Sequence, residues 1–140
     1  MPYRVNPFYN IDARVGSGQL NNPDDVSLVQ YLLVKVASRT SGKWKPPASP
    51  LVVNGTYTPA LGEWIKSYQA IVSATQDGVV HPQSNPHWKH YGTLVSLNAS
   101  FRNNFGGARH DNLVAEPDLP AGLRLALGAS KAKPDMGATP

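Results

Sequence analysis

Apolar residues along the chain fall into three stretches with helical spacing, each free of proline and each entered through a polar residue followed by proline. The windows are residues 24–45, 60–81 and 87–116, and the entries are Asn22-Pro23, Thr58-Pro59 and Asn85-Pro86. Proline inside a helix costs about 3 kcal/mol, whereas at the first helical position its missing N–H is harmless. Three helices are therefore predicted. The first runs from Pro23 to Ala37, with Asp24 and Asp25 in the first turn, where the helix dipole favours acids. Its buried face is Val26, Val29, Leu32, Leu33 and Val36. The second starts at Pro59 under a Thr58 cap and buries Leu61, Trp64, Ile65, Tyr68, Ile71 and Val72. The third covers Pro86 to Phe105 through Trp88, Tyr91, Leu94, Leu97, Phe101 and Phe105, with Gly92 as a break point and Gly106-Gly107 as a left-handed cap.

Between the first two helices, GKWKPPASP reads as a proline-rich loop and LVV as a short extended piece. Asn54-Gly55 then supplies a tight turn, because glycine takes a positive φ without steric cost. Asp77-Gly78 repeats that turn after the second helix, and a weaker echo at a 36-residue offset pairs Pro23 with Pro59, Leu28 with Trp64 and Leu32 with Tyr68. Residues 1–21 show no regular period and read as extended or irregular. Residues 106–140 are rich in proline and glycine, yet Leu113, Val114, Leu119, Leu123, Leu125 and Leu127 are too apolar for a solvated linker. A short helix near 120–127, begun at Pro120, follows, and the segment is expected to dock. The organisation is then an N-terminal extension over 1–21, a helical domain over 22–105 and a tail over 106–140.

Composition narrows the options. One domain suits 140 residues, and a longest apolar run of four, Tyr31 to Val34, excludes a membrane-spanning helix. The start MPYRVNPFYN lacks a basic and then apolar signal pattern, so the expectation is synthesis in the cytoplasm and delivery by another route. Of the net charge of +4, none lies in the tail, and Lys35, Arg39, Lys43 and Lys45 are unopposed by any acid between Asp25 and Glu63. A mildly basic loop results. Without a recognition motif beside it, this small excess argues against nucleic acid.

The residues VNGTYTPALGEWIKSYQ, 53–69, resemble the signature V-D-G-x-F-G-P-x-T-x-x-A-V-x-x-F-Q of the peptidoglycan-binding-like domain family. Val53, Gly55, Pro59 and Gln69 match, and Tyr57, Ile65 and Tyr68 stand for similar residues. Asp77-Gly78-Val79-Val80-His81-Pro82 resembles the family's second D-G-x-x-G-P element, and VGSGQLNNPDDVSLVQYLL resembles its first helix, so that the likeness runs in order over residues 14–105. Asn54, Thr58, Leu61 and Trp64 depart from the pattern. The resemblance implies a mainly α, compact three-helix bundle of the peptidoglycan-binding-domain type. It also implies a module that anchors itself to cell wall.

Catalytic constellations are absent from the sequence. There is no cysteine, no serine in a G-x-S-x-G elbow, and the body's one glutamate, Glu63, falls where the helix dipole already accounts for it. His87 and His90 share a helix face, with His81, His110 or Asp111 as a third ligand, but the spacing matches no metal motif. The expectation is a non-enzyme without metal or cofactor. Candidate ligand-binding residues are Trp44 with Lys43 and Lys45 in the loop, and Asn54, Tyr57 and Thr58 at the turn beside the second helix's N-terminus. Trp44 is read either as an exposed aromatic platform or as a cover folded over the bundle. The partner is peptidoglycan or its fragments, the chain being delivered by a phage, by lysis or by a contractile secretion system. The alternative is a structural or adaptor protein of such an assembly, docking on protein partners through the 106–140 tail.

Overall fold

The computed structural model describes residues 3–5, 8–39, 43–72, 75–84 and 92–129. A hairpin of β1 (Tyr3–Val5) and β2 (Phe8–Asn10) leads into α1 (Pro23–Ser38), α2 (Pro59–Ile71), α3 (Thr93–Phe105), the short α4 (Gly107–Asp111), a 3-10 turn at Leu113–Ala115 and α5 (Ala121–Ala129). The fold is mainly helical. α1 is the central element and packs against α2, α3 and α5. The expected face of Val26, Val29, Leu32, Leu33 and Val36 is buried, and Leu28 and Tyr31 on its other side are buried too. A helix covered all round belongs in the middle of a fold.

What covers that second side is the C-terminal segment. Leu113, Leu119, Leu123 and Leu127 join the same hydrophobic core as Tyr9, Ile11 and Val15 from the N-terminal segment. The described parts of 1–21 and 106–140 are thus components of the bundle, and the apolar tail is packed in cis. Asp118 fastens it to α1, accepting from Tyr31 Oη at 2.7 Å and from Lys35 Nζ at 2.9 Å. At the opposite side of the core, Asn98 on α3 accepts the Tyr9 amide at 2.8 Å and donates to the Tyr9 carbonyl at 3.0 Å, tying β2 in place. His110 is fully buried with Nε2 2.9 Å from Asn98 Oδ1. That oxygen already accepts an amide, so Nε2 is the donor there.

Some boundaries differ from expectation. α2 opens at Pro59 as read, with Thr58 Oγ1 accepting from the Leu61 amide at 3.4 Å, but Ile71 is about half exposed because it closes the helix beyond the core. α3 opens at Thr93, since Gly92 takes extended backbone (φ 172°, ψ 149°) and a continuous helix from Pro86 is broken there. Trp88, Tyr91, His87 and His90 lie outside the described residues. Gly106 closes α3 with the positive φ that glycine allows (+98°), but its ψ of 153° is extended and not the expected left-handed cap, while Leu125 faces solvent. No helix among the described residues is long and apolar enough to cross a membrane.

Candidate functional site

The turn at Asn54-Gly55 is built on a buried glutamine. Gln30 interrupts the apolar surface of α1, and its Oε1 accepts the amides of Asn54 and Gly55, both at 2.9 Å. Its Nε2 donates to Asn54 Oδ1 at 3.1 Å and to the Thr56 carbonyl at 3.0 Å. Asn54 Oδ1 also accepts the Thr56 amide at 3.0 Å, and Gly55 takes φ +77°. Every donor and acceptor of the Gln30 amide is used, which is what a polar group at 1 % exposure requires.

The same device recurs. Gln69 on α2 accepts the Gly78 amide at 2.9 Å through Oε1, and its Nε2 donates to Asp77 Oδ1 and to the Val79 carbonyl, both at 3.1 Å. Asp77 Oδ1 accepts the Val79 amide at 3.0 Å and Gly78 has φ +70°. Burial pushes the Asp77 carboxyl up, but bonds from Val79, His81 and Gln69 outweigh it and leave the group below its usual range. The structural repeat thus matches Gln30 with Gln69, a 39-residue offset, and not the 36-residue offset that the apolar echo suggests. The hydrogen-bonding residue, and not the greasy face, sets the true register.

Beside the first turn lies a groove of about 160 Å³ lined by Gln30, Pro50, Leu51, Val52, Asn54 and Thr58. It is smaller than the roughly 300–1,000 Å³ of drug-sized pockets, so it suits one side chain or a stretch of extended chain. Val52 stands out from it, 62 % exposed. Two of the six expected ligand residues, Asn54 and Thr58, meet here. Tyr57 lies between them in sequence, but its hydroxyl rests against Gly62 on α2, where an added Cβ would be 2.5 Å away, and burial raises its pKa.

Trp44 corrects the platform expectation. It is 4 % exposed, set edge-on to Trp64 and Tyr68 with ring centroids 5.8 and 5.2 Å apart, and its indole Nε1 donates to Ser67 Oγ at 2.9 Å. The loop folds back over α2 because the Trp44 ring packs edge-on to the bulky Trp64, whose own Nε1 donates to the Ser49 carbonyl of the same loop. Lys43 and Lys45 are exposed on either side of it. They frame the loop without lining the groove. Gln30 is the residue that pattern reading passes over, and its signal is a lone amide within an otherwise apolar helix face.

No group of three or more potential metal ligands occurs among the described residues. His81 pairs instead with Asp77 at 3.3 Å, and His110 belongs to the Asn98 network. Asp25 likewise has a structural role, since its buried carboxylate accepts the amides of Asp12 and Ala13 at 3.2 and 3.1 Å, and desolvation raises its pKa in spite of those bonds. Comparison with protein-family models, characterised proteins and solved structures gave no significant match.

Proposed function

We infer that this chain is a non-catalytic module that binds peptidoglycan, of the peptidoglycan-binding-like type, and that its ligand is taken at the groove between residues 50–52 and the Asn54–Thr58 turn. The observation that carries the reading is the groove's position: it opens at the Asn54-Gly55 turn, where the resemblance runs through consecutive motifs and where Asn54 and Thr58 converge. Wall polymer is anionic and hydrogen-bond rich, and Lys43 and Lys45 give the neighbouring loop a matching charge. Delivery by a phage, by lysis or by a contractile secretion system belongs to the same proposal. The adaptor alternative drew on an apolar tail free to enter a neighbour, and Leu113, Leu119, Leu123 and Leu127 are instead buried in cis.

The test is co-sedimentation of the full chain with purified sacculi. Saturable pelleting is expected, weakened several-fold by Val52→Asp, which places a charge on an exposed residue of the groove and leaves the core alone. Lys43→Glu with Lys45→Glu should raise the salt sensitivity of what binding remains. Absence of pelleting at low and moderate salt defeats the reading. Trp44→Ala is unsuitable as a binding probe, because emptying its site costs about 3–5 kcal/mol of stability.

A further inference from the structure

The two glutamine-clamped turns diverge at one backbone position. After Val79 the chain reaches Val80, whose N–H and C=O both pair antiparallel with Val15, at 2.8 and 3.1 Å. The equivalent residue of the first turn is Tyr57, and among the described residues its N–H and C=O bond to nothing. Up to that point the turns share their main bonds, from the glutamine Nε2 to the Asx oxygen and to the carbonyl after the glycine and from the glycine amide to the glutamine Oε1, with glycine φ values of +77° and +70°, although Gln30 also accepts the Asn54 amide and Gln69 also donates to Thr93. Tyr57 therefore carries backbone set for a strand partner that only its twin possesses. A half-buried residue keeps unpaired backbone groups only where water can reach them, so this edge of the turn is open to a hydrogen-bonding partner. The groove is walled by Asn54 and Thr58, which flank Tyr57 in sequence.

The twin also shows what kind of chain fits. Val15 supplies the paired residue and Gly16 follows it, crossing the turn so closely that an L-configured Cβ would lie 2.8 Å from the Gly78 carbonyl and 2.9 Å from Val79 Cγ2. Glycine passes, and a D-residue turns its side chain away from that contact. An L-residue followed by a D-residue is the sequence chirality of wall stem peptides, in which an L-configured diamino acid centre precedes D-alanine. On the wall-binding reading above, we propose that Tyr57 is a vacant strand-pairing position that takes the peptidoglycan stem peptide as an added antiparallel strand. The diamino acid gives its N–H to the Tyr57 carbonyl and its C=O to the Tyr57 N–H, and the D-alanine crosses Gly55. Strand addition of this kind draws affinity from main-chain bonds and selectivity from the alternate side chains.

The probe is the tetrapeptide L-Ala-γ-D-Glu-L-Lys-D-Ala, titrated into the isotopically labelled full chain. The expected result is saturable shifts centred on the amides of Gly55, Tyr57 and Thr58, with slowed hydrogen exchange at Tyr57. Methylating the α-amide nitrogen of the lysine removes one of the two main-chain bonds and should weaken binding about tenfold, with the protein itself unaltered. Replacing D-alanine by L-alanine should weaken it further. Sacculi that pellet the protein while the tetrapeptide shifts nothing near Tyr57, or binds equally well when methylated, overturn strand addition and leave wall binding standing. Failure of both sacculi and tetrapeptide overturns the two together.

Discussion

Gly62 and Tyr57 explain each other. A helix interior favours alanine over glycine by up to about 1 kcal/mol, so glycine four residues into α2 needs a reason. The reason is the Tyr57 hydroxyl, 2.5 Å from where a Cβ would stand, while the ring carbon behind it is at 3.6 Å, an ordinary contact. The side chain is stiff and packed against the core, so the hydroxyl has little room to yield. Gly62→Ala should thus destabilise the protein by about 1 kcal/mol, as overpacking does, but stabilise it by a similar amount in a Tyr57→Phe background. Urea unfolding of the four proteins in this cycle gives the coupling, and additive effects would mean the hydroxyl is not the obstacle. The pairing also fixes the role of the Tyr57 side chain, which braces the turn against α2.

At the scale of elements, one carboxylate reinforces the docking of α5. Asp118 sits just before α5, and although its own burial pushes its pKa up, the Tyr31 hydroxyl and the Lys35 ammonium hold it below the usual carboxylate range. A depressed folded pKa means stability that is present above the unfolded value, about 3.9, and lost as pH falls through the folded one. Asp118 is more than half exposed, so screening limits the effect, and Asp118→Ala should cost about 1 kcal/mol at neutral pH. The difference from wild type should close as pH is lowered from about 4; a gap that persists in acid, followed by thermal unfolding, rules out the charge as its cause. The elements themselves were legible where proline entries and apolar spacing agree, as at Pro23 and Pro59. They were illegible where a distant partner decides: Leu28 and Tyr31 look like surplus on α1 until α5 arrives, and Ile71 continues the apolar pattern to the last residue of α2, beyond the core. The site was read in part. Asn54 and Thr58 stand at the groove, whereas nothing local shows that Trp44 finds Trp64 and Tyr68 to pack on.

For the whole molecule, the decisive feature is that the core draws on both ends of the chain. A bundle of α1, α2 and α3 alone would expose the α1 side that carries Leu28 and Tyr31, together with the surfaces that Tyr9 and Leu113 meet. The Tyr9 hydroxyl accepts the Leu113 amide at 3.0 Å, joining the N-terminal hairpin to the C-terminal segment across the core. Arg124 adds a second tie by donating to the carbonyls of Glu116 and Leu119, which fixes α5 to the segment before it. Losing four buried leucines at about 2–5 kcal/mol each is as large as the roughly 5–15 kcal/mol by which ordinary domains are stable. Removing residues 107–140 should therefore unfold the protein, visible as lost near-ultraviolet dichroism and lost cooperativity in urea. A deletion at 107 that retained a cooperative transition would show that α1 to α3 form an independent domain. If it unfolds, loss of any binding partner on that deletion carries no information about where the partner sits. The groove beside Tyr57 must then be probed with exposed single substitutions or with altered ligands, because every larger excision reaches the core that holds the turn in place.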